Sequence, residues 1–304
     1  MATATTPSTE LLGGPARTSR PRSFWFDMIS RLVRTKPLGL VGAIIVLVVV
    51  FAAIFAPFVA PYDYGEQVPR ERLKGPGMTY FFGTDNLGRD MFSRVVYGAR
   101  VSLRVGFTAV AASTIAAMAI GVTSAYFGGW FDVIMQRFVD VMQAFPGLIL
   151  ILTIMAILGQ GITNVILAIA IFSTVSGSRI LRSAALSIKS QPYIEAAKAL
   201  GAGDFRIIVQ HVIPNVVAPA ITLATLGLGG AILAESSLSF LGVGVPPDVP
   251  TWGGMLSGAG RRFMLQAWWM AFFPGMVLSI TVYGFNMLGD AMRDLLDPRL
   301  RGSR

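Results

Sequence analysis

Leu38-Gly-Leu-Val-Gly-Ala-Ile-Ile-Val-Leu-Val-Val-Val-Phe-Ala-Ala-Ile-Phe-Ala-Pro-Phe58 decides what kind of fold this chain adopts. The run carries no charge and matches the ~20 apolar residues that cross the hydrocarbon core of a bilayer. It is too long for the apolar region of a secretory signal. In that core water offers the backbone no partners, so a crossing segment must satisfy its own N–H and C=O groups as a helix. Outward from it, charge-free gaps recur from Val105 to Phe131, Val141 to Ser178, Val212 to Pro247 with only Glu235 inside, and Phe263 to Gly289. The gap from Val141 has room for two helices and is interrupted at Leu158-Gly-Gln-Gly-Ile-Thr-Asn164. The expected fold is all-α and polytopic, a six-helix membrane domain over 37–290 with spans near 38–58, 103–128, 134–158, 163–182, 215–241 and 267–289.

Composition agrees. Hydrophobic residues make up 54% and charged residues 13%, about half the charged share of a soluble domain. Cysteine is absent and His211 is the sole histidine, which excludes disulfides, thiolate chemistry and histidine metal sites. The net charge of +9 does not point to nucleic acid, because the basic residues flank apolar runs instead of gathering on a soluble face.

Loop charge orients the spans. Cations crowd the N-terminal segment (Arg17 to Lys36), the fourth connection (Arg179 to Arg206) and the C-terminal tail (Arg293 to Arg304), so both termini are expected in the cytoplasm. The first outer loop fits less well, with Arg70, Arg72, Lys74, Arg89 and Arg94 among five acids. Residues 1–23 read as a disordered cytoplasmic tail and 291–304 as a cytoplasmic C-terminal tail. Between tail and first span, 24–36 has Trp25, Met28, Ile29 and Leu32 at helical spacing beside Arg31, Arg34 and Lys36, an interfacial helix that Pro37 separates from the membrane helix. A helical extension of the first span into water is the alternative.

The fourth connection reads Gln191-Pro-Tyr-Ile-Glu-Ala-Ala-Lys-Ala-Leu-Gly-Ala-Gly-Asp-Phe-Arg-Ile-Ile-Val-Gln-His-Val-Ile-Pro-Asn215. Pro192 suits the first position of a helix, strong helix formers follow, and Gly201 can take the left-handed conformation that stops it. Asp204 is expected to cap a second helix, Phe205 to Val212, which Pro214 closes. The result is a stiff knuckle whose small residues let another backbone approach and whose Glu195 offers a carboxylate to an arginine.

Glu195-Ala196-Ala197, Gly201 five residues past Ala196, and Ile213-Pro214 together resemble the EAA loop of prokaryotic ABC importer permeases. Phe82-Gly-Thr-Asp-Asn-Leu-Gly-Arg-Asp90, Ala234-Glu-Ser-Ser-Leu-Ser-Phe-Leu-Gly242, Trp252-Gly253 and Phe285-Asn-Met-Leu-Gly-Asp290, followed by Arg293-Asp294 and Leu296-Asp-Pro-Arg299, resemble the C-type permease of the dipeptide/oligopeptide/nickel branch. The likeness runs from about Lys36 to Arg301. It implies a type I permease fold in an inner membrane, a second homologous permease, two ABC ATPase subunits that bind ATP and Mg, and an extracytoplasmic peptide-binding protein. It also implies that Glu195, Ala196, Ala197, Gly201 and Pro214 couple the chain to the ATPases, with no cofactor on the chain itself. Nickel is the alternative cargo within the family. Free nickel prefers histidine or thiolate ligands, which this chain nearly lacks.

Other residues carry competing readings. Glu235, with Ser236 and Ser237, is either a pathway or gate element or a hydrogen-bonding residue between helices. As a proton-coupling carboxylate it would instead suit an ion-gradient transporter, although no internal repeat supports that class. Asp132, Arg137 and Asp140 suggest a structural ion pair between the last two, and Pro146 a kink in the third span. Gly227, Gly229, Gly230 and Ala231 form a small-residue face for close helix packing. Leu256-Ser-Gly-Ala-Gly260 superficially resembles an ATPase signature, but the chain has no Gly-Lys dipeptide and hence no P-loop, so it is not expected to be an enzyme. His211 reads as a packing residue.

Overall fold

The computed structural model describes residues 32–33 and 35–296. The tail at 1–23, most of the segment at 24–36, and 297–304 lie outside the described residues. Helices account for nearly all regular structure among them. Helix α1 (Pro37–Ile54) and the short α2 (Ala56–Val59) precede a long loop, then come α3 (Met91–Phe127), α4 (Gly129–Gln143), α5 (Gly147–Leu158) and α6 (Ile162–Lys189). The knuckle comes next as α7 (Pro192–Ala199) and α8 (Asp204–Ile207), then α9 (Ile213–Phe240), short α10 (Trp252–Leu256) and α11 (Gly258–Arg262), and α12 (Trp269–Leu296).

Five of these are long and apolar enough to cross a membrane, and a sixth span exists if α4 and α5 count as one bent by 92°. The third span therefore departs from expectation: it is broken, not merely kinked. Pro146 has no N–H to donate and disfavours a helical Phe145 before it, so α4 ends and α5 restarts with Pro146 as its N-cap. With 12 residues α5 reaches only about 18 Å, short of a bilayer core. Two other boundaries move. Helix α3 starts at Met91, well before 103, because the Asp90 side chain accepts from the Ser93 N–H at 2.7 Å and caps it. Helix α12 continues to Leu296, through the first residues of the expected tail.

The largest correction concerns Pro214. It does not close the second knuckle helix; Asp204 to Phe240 run on as one 37-residue helical segment. A π turn at Ile208–Val212 links α8 to α9, and Pro214 lies in the first turn of α9. The wider turn accommodates the missing N–H, so the proline shapes the helix without stopping it.

Helix α1 turns Leu47, Val48 and Phe51 outward, as a lipid-facing helix must, and packs its small face on α12. A Cβ on Gly42 would lie 2.7 Å from the Gly284 carbonyl oxygen, so only glycine permits that approach. Of the small residues on α9, Gly229 makes a close approach within the chain: its Cβ would come 2.7 Å from Asn286 Oδ1 of α12, whereas a Cβ on Gly230 would have nothing within 4 Å. One apolar core joins α3, α9, α10 and α12 around Ile232, Trp252 and Phe285. A second, at the knuckle end, gathers Val122, Tyr126, Leu181, Ile194, Ile207 and Val216.

Candidate functional site: an exposed knuckle at one end of the bundle

The knuckle forms as its sequence dictates locally. Pro192 is the first residue of α7 and Leu200 its C-cap. Gly201 has φ +83°, where a side chain would strain the backbone. Its N–H donates to the Lys198 carbonyl at 2.9 Å and that of Ala202 to the Ala197 carbonyl at 3.0 Å. These are the paired bonds of a Schellman stop. Asp204 is not the cap of α8, as expected; Gly203 is, and Asp204 is the first helical residue.

Two isoleucines anchor the knuckle. Ile194 is 1% and Ile207 0% exposed, both packed in the second core. The opposite side faces solvent. Glu195 and Ala196 are exposed, Ala197 is half-buried, and Leu200 and Phe205 are 88% and 80% exposed. Sequence reasoning missed these last two, although two large apolar side chains flanking glycines in a basic connection are themselves a signal. Paired with an exposed carboxylate, they make a surface suited to a complementary groove. His211 lies against Tyr193, ring centres 6.2 Å apart, and its carbonyl accepts from Asn215 Nδ2 at 2.7 Å. It packs and positions.

Around the knuckle, ion pairs tie helices together. Arg182 of α6 donates to Asp132 of α4 through Nε at 2.7 Å and through a second nitrogen. Asp140 receives Arg179 and, at 3.5 Å, the expected Arg137. Amphipathic α4 is thereby pinned to α6.

Glu235 lies toward the other end, on α9, and is 0% exposed. Its carboxylate accepts from Ser102 Oγ of α3 at 2.8 Å, from Ser239 Oγ at 2.8 Å and from Ser236 Oγ at 3.4 Å. Ser237 turns away and donates to the Leu233 carbonyl. Glu235 is thus enclosed by hydroxyls and bridges α3 to α9, as a hydrogen-bonding residue between helices, and faces no open passage within this chain. A Cβ on Gly253 would sit 2.1 Å from the Ser236 carbonyl oxygen, so α10 is pressed onto the same place. Among the described residues no group of three His, Cys, Asp or Glu could hold a metal.

The chain is similar to known proteins along most of its length. The family model described as "Binding-protein-dependent transport system inner membrane component" matches residues 117–302, which include the knuckle, and that for the "N-terminal TM domain of oligopeptide transport permease C" matches 23–76. The dipeptide transport system permease protein DppC of Alkalihalophilus pseudofirmus is 44% identical over 277 residues, 91% of this chain and 90% of that protein. The glutathione transport system permease protein GsiD of Escherichia coli is 40% identical over 282 residues, covering 92% of each.

Proposed function

The chain belongs to the family of binding-protein-dependent transport system inner membrane components, and from that premise we propose that it is one of two permease subunits of an ATP-driven importer of peptides. The observation that carries this reading is the knuckle, a stiff element projecting Glu195, Leu200 and Phe205 from one end of a membrane bundle. Peptide as cargo is supported by relatives named for dipeptide and glutathione transport.

Under this reading the knuckle end is cytoplasmic, as are both termini. Each permease inserts its knuckle into a groove of one ATPase subunit, where Glu195 meets a basic side chain and Leu200 and Phe205 fill apolar space. Ala196 and Ala197 let the backbones approach, and Gly201 sets the turn. Closure of the ATPases on ATP draws the two knuckles together and splays the far ends of the spans, opening a cavity between the permeases to an external binding protein. ATP and Mg stay with the partners; this chain contributes shape change alone. Pro214 acts from within the helical segment, setting how the knuckle joins α9.

Reconstitution tests this. Proteoliposomes holding both permeases and both ATPases should accumulate a labelled dipeptide when given ATP and peptide-loaded binding protein. Accumulation driven by a proton gradient, with the ATPases left out, would overturn the proposal and favour a secondary transporter.

A further inference from the structure

We propose that Tyr126 passes movement of the knuckle to α3, and that its hydrogen bond to Asp204 is the contact that does so; the inference rests on the reading of the knuckle as the ATPase-docking element. The chain itself explains why such a contact is needed. Helix α6 joins α7 through Ser190 and Gln191, and α8 continues into α9, so both of those spans are covalently tied to the knuckle. Helix α3 is not. It packs beside α6 and α9 but is remote from the knuckle in the chain, so it tracks a moving knuckle only through side-chain contacts.

Tyr126 supplies them. It is the penultimate residue of α3 and 5% exposed. Its hydroxyl donates to Asp204 Oδ1, on the first residue of α8, at 2.6 Å. Lys198, near the end of α7, holds its ammonium 5.2 Å from the centre of the same ring, and Lys189, the last residue of α6, lies at 5.8 Å. Both distances suit cation–π attraction. Lys189 also donates to the carbonyls of Ala125 and Tyr126 at 3.2 and 2.7 Å, neutralising the C-terminal end of α3. One phenol is therefore gripped by α6, by α7 and by α8, while Ile194 and Ile207 of the knuckle share its apolar core.

The effect of gripping that residue depends on the helix behind it. Helix α3 is an unbroken run of 37 residues, about 55 Å long. A displacement imposed at Tyr126 tilts the whole helix. Toward its other end, Ser102 holds Glu235 of α9 at 2.8 Å, so the tilt is delivered where α3 and α9 meet again. Tyr126 is a positioning residue: it touches no cargo and no nucleotide.

The test uses the complete importer in proteoliposomes and reads peptides taken up per ATP hydrolysed. Tyr126→Phe keeps the ring and its cation contacts but deletes the hydroxyl; Asp204→Ala deletes the acceptor from an exposed position. Each should lower the ratio on the order of tenfold, the effect of losing one hydrogen bond to a charged group, with the ATPases still bound. Asp204→Asn retains the Oδ1 acceptor and should keep most of the ratio. The double variant Y126F/D204A should be no worse than either single one, as two ends of one contact. Wild-type ratios in both single variants, a multiplicative loss in the double, or failure of both to assemble with the ATPases would each overturn the proposal. A wild-type complex that takes up no peptide on ATP would instead sink the underlying reading of the knuckle.

Discussion

Residues 72–94 and 191–207 are both short, charged and interrupted by glycine, yet they use their side chains in opposite ways. In the first, Thr84, Asp85, Asp90 and Arg94 are buried. Asp85 accepts from the Leu87 and Arg89 N–H groups at 2.8 and 3.0 Å and from Arg89 Nε at 2.6 Å, while Trp269 Nε1 donates to the Thr84 carbonyl at 3.0 Å. Burial of these polar groups is tolerable because most of their atoms have partners, Asp90 Oδ1 being the exception. The second segment buries Ile194 and Ile207 and leaves the Glu195 carboxylate and two large apolar side chains in solvent. Leu200 and Phe205 bury little of their surface within the chain. On the reading proposed above, the second segment keeps its apolar surface for a partner, whereas the first uses its charges within the chain.

The sharpest way to break this contrast is Glu195→Lys. It should cut ATP-driven uptake on the order of a hundredfold, as reversing a charge at a docked pair does, yet leave membrane insertion and thermal stability as in the wild type. Wild-type uptake by that variant would remove the knuckle from the mechanism. At the opposite end the effects should invert. Gly253→Val, whose Cβ would meet the Ser236 carbonyl oxygen at 2.1 Å, should lower stability by about 1–3 kcal/mol in a denaturation series on detergent-purified protein. An unshifted midpoint would mean that α10 is not pressed onto α9.

Phe205→Ala refines the first half of the comparison. It should weaken binding of the ATPase subunits about tenfold, the cost of one partly buried aromatic anchor, measured by titration in detergent with stability unaltered. The smallest effect belongs to Glu235→Gln. A glutamine keeps one acceptor, and the surrounding serine hydroxyls can donate or accept, so stability should fall by less than about 1 kcal/mol and uptake should persist. Abolished uptake with intact folding would revive Glu235 as a proton-coupling group.

Much of this molecule could be read from its residues. The α1, α6, α9 and α12 spans are legible in charge-free runs, because the cost of placing charge in hydrocarbon depends mainly on local composition. The knuckle's first helix and stop are legible in Pro192 and Gly201, whose dihedral preferences act within a few residues. Errors arise where a local signal has two outcomes. Pro214 can end a helix or sit in its first turn, and the π turn before it decides for the second. Pro146 can kink or break, and the 92° bend shows a break. Asp90 is hard to recognise as a cap because α3 begins among arginines outside the apolar gap.

By itself, then, the sequence determined that this is a multi-span helical protein with a turned, basic, small-residue connection between its fourth and fifth spans, since transfer energies and backbone preferences are properties of neighbours along the chain. Tertiary structure alone decided which faces of that connection point outward, that Glu235 is walled in by serines, and that α3 is fastened to the knuckle. Those outcomes join residues 133 apart at Ser102 and Glu235, 78 apart at Tyr126 and Asp204, and 50 apart at Asp132 and Arg182. Such pairings arise only when helices dock, because a side chain's partner is set by which surfaces meet and not by its place in the sequence.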